Sequence, residues 1–156
     1  MPFGGLAHGS RSDGLFGMIA ASALKTILDA LDLAGTNYLG DEGLLVKIDT
    51  SANYTVTICG NSERPEGQVV RAQKHDTDYW HLAVDFFGFL DAASAWNSGR
   101  PRQKKLYYGT GTIALGQMVL VNNAGTNYHW VDGANSGGVG KVIAKDDPSG
   151  YVQIFY

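Results

Sequence analysis

The sequence predicts a mainly β fold: a small antiparallel β-barrel or sandwich with one N-terminal amphipathic helix and an extended N-terminal arm. Three observations carry this. Acidic residues are lopsided, with 12 aspartates against 3 glutamates; aspartate favours turns and caps, glutamate helix interiors. Short runs rich in Val, Ile, Thr and aromatics are punctuated by Gly, Asn and Asp, the pattern of strands and turns. In the final third these runs recur at regular spacing, as compact all-β domains require.

Residues 1–14 (MPFGGLAHGSRSDG) hold four glycines and no periodicity, so they read as an extended arm. Phe3 and Leu6 are its apolar points, available to order against a partner subunit. Residues 15–34 read as the helix. Phe16, Ala20, Ala23, Ile27 and Leu31 fall on one stripe with Leu24 and Leu28 beside it, and Ser22, Lys25, Thr26, Asp29 and Asp32 lie opposite. Gly35 is placed to end it. The apolar run 15–24 is read as part of this helix and not as a cleaved leader, because Asp13 precedes it and Gly17 interrupts it. It is also too short for a membrane span, which needs about 20 apolar residues.

Residues 35–110 form a β-rich region. Strands are expected over 44–49 and 54–59, joined by a hairpin loop at Ser51, Ala52 and Asn53. The segment 60–67 (GNSERPEG) is a turn cluster. Over 68–74, simple alternation sets Val70 and Ala72 opposite Val69 and Arg71. Residues 79–89 read as a long strand with Trp80, Leu82 and Val84 on one face. A polar basic loop at 98–105 leads into a strand starting near Leu106. Residues 111–156 read as a small C-terminal barrel of four strands, 118–121, 128–131, 138–144 and 151–156. Turns are expected at 122–125, 132–135 and 146–148. In the last strand Val152, Ile154 and Tyr156 alternate, which ties the C-terminus into a sheet.

Composition excludes several classes. The 156 residues fit one domain or a small domain with an appendage, and 44 % hydrophobic residues exclude disorder. One cysteine excludes an internal disulfide. With 12 basic and 15 acidic residues the net charge is −3, which argues against a nucleic-acid partner. Charged residues reach only 17 % while glycine reaches 21 residues. Sparse charge of this kind points to a surface partly covered by other chains.

Few motifs carry chemistry. The glycine-rich 133–141 segment (GANSGGVGK) has Asn135 where a phosphate loop needs glycine and Val142 where it needs Ser or Thr; it reads as a β-turn. His8, His75, His81 and His129 make no metal-ligating spacing, so no metal and no cofactor is expected. Cys59, a histidine and Asp85 are the residues a hydrolase would recruit, but nothing in their spacing brings them together. Cys59 therefore reads as a small buried hydrophobe, and no catalytic residue is expected. Asn53-Tyr54-Thr55 matches a glycosylation acceptor, a pattern common by chance. Arg100, Arg102, Lys104 and Lys105 concentrate positive charge that suits an acidic protein surface, since one short cluster neutralises few phosphates. Trp96, Tyr107, Tyr108, Tyr128 and Trp130 could form a carbohydrate-stacking platform or a protein interface.

One resemblance adds to this. Gly116-Gln117-Met118-Val119-Leu120-Val121, then Tyr128-His129-Trp130-Val131, then Gly138-Val139-Gly140-Lys141-Val142-Ile143, then Gly150-Tyr151-Val152-Gln153-Ile154-Phe155, resembles the strand order of the small barrel of head decoration, or cement, proteins of tailed bacteriophages. The resemblance covers about 40 residues. It implies a non-enzymatic virion protein assembled in the host cytoplasm, trimeric, seated on the capsid exterior and binding the major capsid protein, with no membrane contact. On that reading the interface candidates are Phe3, Leu6, Arg100, Arg102, Lys104, Lys105, Tyr107, Tyr108 and Trp130. The alternatives are a carbohydrate-binding β-sandwich module of a virion or secreted protein and, from another class, a small hydrolase using Cys59 or His81.

Overall fold

The computed structural model describes residues 15–33, 43–75, 79–87, 103–109, 112–122 and 129–156. It is mainly β with one helix, in the order β1 (Leu15–Ala20), α1 (Ser22–Leu33), β2 (Leu45–Ile48), β3 (Thr55–Ile58), β4 (Gly67–His75), β5 (Tyr79–Phe86), β6 (Gln103–Tyr107), β7 (Met118–Val121), β8 (Val131–Ala134), β9 (Lys141–Asp146) and β10 (Tyr151–Phe155). The described residues fall into two compact units. The first runs to Ile58 and includes Gly67–Phe86; the second comprises Cys59–Glu66 and the described residues from Phe87 onward. The expected arm at 1–14, with Phe3 and Leu6, and the basic residues Arg100 and Arg102 lie outside the described residues.

In the first unit the hydrogen-bonded strand order is β1-β3-β2-β4-β5, and β5 returns to β1, so the pairings form a circuit. The expected helix over 15–34 is corrected here: its first third is a strand. Leu15 to Ile19 pair antiparallel with β5, and Ile19 and Ala20 pair parallel with β3. A short apolar run with one glycine satisfies helix and strand patterns equally, and here the pairing partners on both sides decide. That parallel pair also departs from the all-antiparallel expectation. Parallel neighbours need a long crossover, which α1 and β2 supply. Starting only at Ser22, the helix buries Leu24 and Leu28, both 0 % exposed, while Ala23 on the expected stripe is exposed.

Strict alternation fails in β4. Val69 and Ala72, three positions apart, are both buried, whereas Val70 and Arg71 are exposed. The register against β5 shifts between Val69 and Arg71; the extra residue of this bulge turns both buried side chains the same way. Trp80, Leu82 and Val84 share the buried face of β5, as expected. A polar clamp ties α1 to this sheet. The Asp29 carboxylate accepts a hydrogen bond from Trp80 Nε1 at 2.9 Å, pairs with Lys25 at 2.5 Å and faces Lys74 at 3.4 Å.

The second unit contains a three-stranded sheet, β6-β10-β9, and a two-stranded sheet, β7-β8. Single bridges, Val119 to Val139 and Tyr107 to Trp130, link them. Leu106, Val119, Val121, Val131, Val142, Val152 and Ile154 fill the interior. The turn cluster 60–67 also contributes: Ser62 N donates to Val121 O at 2.7 Å and Val121 N to Glu63 O at 2.9 Å. Two expectations are corrected. Residues 131–134 (VDGA), placed mostly in a turn, are β8, paired with β7 from Met118–Ala134 to Val121–Val131. β6 starts at Gln103, inside the expected basic loop, because its backbone pairs with β10 from Phe155 onward.

Candidate functional site

The site is built on the outward face of β6 and β10. Successive strand residues point to opposite faces, and the register places Tyr107 opposite Tyr151 and Lys105 opposite Gln153. Leu106, Tyr108, Val152 and Ile154 take the buried face. Lys105, Tyr151 and Phe155 are exposed, the two aromatics at 38 % and 43 %.

Around Tyr107 the rings converge. Its centroid is 5.0 Å from Tyr151, 5.6 Å from Trp130 in an edge contact and 6.0 Å from His129 in a stacked one. These are separations at which aromatic pairs attract beyond simple area burial. Two glycines make the approach possible. A Cβ on Gly109, which has φ +50°, would stand 2.5 Å from Trp130; one on Gly150, with φ +73°, would stand 2.8 Å from Tyr107. Each ring thus lies against bare backbone. Trp130 Nε1 donates to His129 Nε2 at 3.0 Å, so His129 accepts through a nitrogen that must stay unprotonated. Burial of the imidazole pushes its pKa down and favours the same neutral form.

At the Tyr151 end the chemistry becomes basic and polar. Lys105 Nζ sits 4.1 Å from the Tyr151 ring centroid, a cation–π geometry. Beside it opens a shallow cavity of about 190 Å³ lined by Lys105, Lys145, Asp146, Ser149, Tyr151 and Gln153 among others. Lys145 is engaged by Asp147 at 3.1 Å. Ser149 Oγ donates to Asp146 O at 3.2 Å.

Among the interface candidates, the structure brings Lys105, Tyr107 and Trp130 to one face. Lys104 and Tyr108 alternate with Lys105 and Tyr107 along β6 and so take its other face. Lys104 is half-buried. Tyr108 is 6 % exposed and its hydroxyl donates to Asp147, a bond that pushes the phenol up to about 12. Tyr108 therefore anchors the turn after β9. Of the aromatic platform, Trp96 and Tyr128 lie outside the described residues. His129, Tyr151 and Phe155 were missed. The signal was present for two of them: the alternation Val152, Ile154, Tyr156 faces inward, which turns 151, 153 and 155 outward.

Elsewhere, Cys59 is fully buried, with its thiol 3.5 Å from Arg64 O and 3.9 Å from Glu63 Oε2. His75, Tyr79 and His81 stack at the β4–β5 end with centroids 5.0 to 5.1 Å apart. Burial, and then the neighbouring His75, push the His81 pKa down. Among the described residues, no three His, Cys, Asp or Glu side chains group as a metal site, and no helix is long and apolar enough to cross a membrane. The chain matches no family model, no curated protein and no solved structure.

Proposed function

We propose that this chain is a non-enzymatic virion structural protein. In this reading it is a capsid decoration protein that forms a homotrimer on the capsid exterior and stabilises contacts between coat subunits. The observation that carries the reading is the outward face of β6 and β10. There Tyr107, Trp130, Tyr151 and Phe155 present aromatic surface beside the Lys105 ammonium. Aromatic residues are enriched where proteins meet, and a lysine at the edge of such a patch favours an acidic partner surface. The strand sequence from Gly116 to Phe155 and the low charge content of 17 % support the same reading. Both units are proposed to be small barrels, consistent with the circuit of pairings in the first and the bridged sheets of the second.

Binding to a shell would stabilise it by mass action, because the protein adds contacts only to the assembled form. The test is sedimentation of purified protein with empty capsid shells, together with native mass measurement. Saturable co-sedimentation that Tyr107→Ala with Phe155→Ala reduces at least tenfold is the expected result. A monomer that never sediments with shells refutes the proposal.

A further inference from the structure

We propose that the contact between His129 and Trp130 is a proton-operated switch on the docking face: neutral His129 holds the ring cluster around Tyr107 together, and protonated His129 opens it. The consequence for docking rests on the reading of this face as the coat-binding surface. The local rearrangement does not.

One proton decides the contact. Trp130 Nε1 donates to His129 Nε2 at 3.0 Å. An indole N–H can only donate, and an imidazole nitrogen accepts only while it carries no proton. A proton on Nε2 sets two N–H groups against each other, so the hydrogen bond is lost. Trp130 has no room to retreat towards Gly109, where even a Cβ would meet its ring at 2.5 Å. His129 is therefore the ring that moves. It stacks on Tyr107 at 6.0 Å with an interplanar angle of 21°, and Tyr107 is also where Trp130 and Tyr151 converge, at 5.6 and 5.0 Å. When His129 leaves, Tyr107 loses a stacked neighbour and Trp130 loses its acceptor, both at the centre of the docking face.

The surroundings set the direction. Among the described residues, the rings of Tyr107 and Trp130 face His129, and neither supplies a carboxylate to hold an imidazolium. The stacked Tyr107 offers a cation some attraction, but that does not restore an acceptor to Trp130. The charged groups of the same sheet face are Lys105, a like charge over the Tyr151 ring, and Asp146. Tyr107 and Asp146 pair with Tyr151 from opposite sides, so Asp146 stands two strand spacings, about 10 Å, from the Tyr107 backbone. Burial holds the imidazole pKa down in the closed cluster, whereas a solvated imidazole has the ordinary value of ~6.5. The open arrangement thus binds the proton more readily. The switch is closed above about pH 6.5 and shifts towards open by at most about tenfold per pH unit below it.

The test has two readouts. In the protein alone, nuclear magnetic resonance follows the His129 ring and the Trp130 indole N–H from pH 8 to 5, with the indole signal assigned by Trp130→Phe. The indole signal should shift with the His129 midpoint. It should stay still in His129→Gln, which keeps an acceptor oxygen and does not titrate. His129→Phe keeps a ring without the acceptor and should show the released indole signal already at pH 7.5. In shell sedimentation at pH 7.5 and 5.5, the affinity of wild type relative to His129→Gln should fall about threefold or more at the lower pH. An indole signal indifferent to His129 protonation overturns the switch, as does a relative affinity that does not change with pH. If wild type fails to sediment with shells at pH 7.5, the docking reading falls, and the resonance titration alone decides the switch.

Discussion

Asp29 is the point where the helix is fastened to the first unit, and removing its carboxylate has a calculable consequence. Trp80 is 0 % exposed, and its Nε1–H is satisfied by Asp29 at 2.9 Å. Asp29→Ala leaves that buried donor without its acceptor, which costs about 1–3 kcal/mol. The lost ion pairs add less, about 0.3–1 kcal/mol, because Lys25 and Lys74 are each about a third exposed. The sum is about 1.3–4 kcal/mol. Asp29→Asn keeps an oxygen for Trp80 and loses only the charge, so about 0.5–1 kcal/mol is expected. The hydrogen bond from Lys25, then that from Trp80, lowers the Asp29 pKa to about 2, below the ordinary value of ~3.9. A folded-state pKa below the unfolded one gives stability that is complete above about pH 5 and is lost as pH falls towards 2. The gap between wild type and Asp29→Asn should therefore close over that interval. Urea unfolding followed by far-ultraviolet circular dichroism at pH 7, 5 and 3 measures all of this. Equal effects of Asn and Ala, or a gap independent of pH, would refute the reasoning.

Gly109→Ala should destabilise the second unit by more than 2 kcal/mol and shift the Trp130 emission, because φ +50° is unfavourable for a Cβ and the added atom would meet Trp130 at 2.5 Å. Gly116→Ala, with φ +83° but nothing within 4 Å, should cost only the backbone strain of about 1–2 kcal/mol. His81 and His129, both shifted down chiefly by burial, should titrate below ~6.5 by nuclear magnetic resonance. Since the unfolded chain then binds protons more readily, stability should fall as pH drops below that value. Tyr108→Phe should remove a late-titrating phenol in an ultraviolet absorbance titration, the one that Asp147 pushes up to about 12.

How much of this was legible depended on whether a segment's own residues or its partners decide its state. β2, β3, β7 and β10 were readable, because apolar alternation and bounding turn residues agree there. Residues 15–20 were not: LFGMIA suits a helix or a strand, and the pairing to β5 and β3 that decides it comes from residues 55–56 and 81–85. Residues 131–134 were misread for the opposite reason. Asp132 and Gly133 look like a turn, yet Asp132 Oδ1 accepts from Thr112 N at 2.8 Å and Gly133 N donates to Thr112 O at 2.9 Å. A Cβ on Gly133 would lie 2.1 Å from Gln117 Oε1. Composition there reflects close packing, which single-sequence reading cannot separate from turn chemistry.

The candidate site was half-legible by the same logic. The aromatics and the lysines of 104–108 stood out as a cluster, but a cluster counted along the chain ignores the two faces of a strand. Once β6 is extended, Lys105 and Tyr107 share one face and Lys104 and Tyr108 the other, so the cluster divides between the two sides of the strand. What joins Lys105 and Tyr107 comes from β10, 44 residues after Tyr107 at the Tyr151 pairing, and from His129 and Trp130. The abundance of glycine acquires a local cause in this arrangement. Gly109 and Gly150 carry no side chains where Trp130 and Tyr107 lie against the backbone. A face so built sets rings beside the Lys105 ammonium in a chain of which only 17 % of residues are charged.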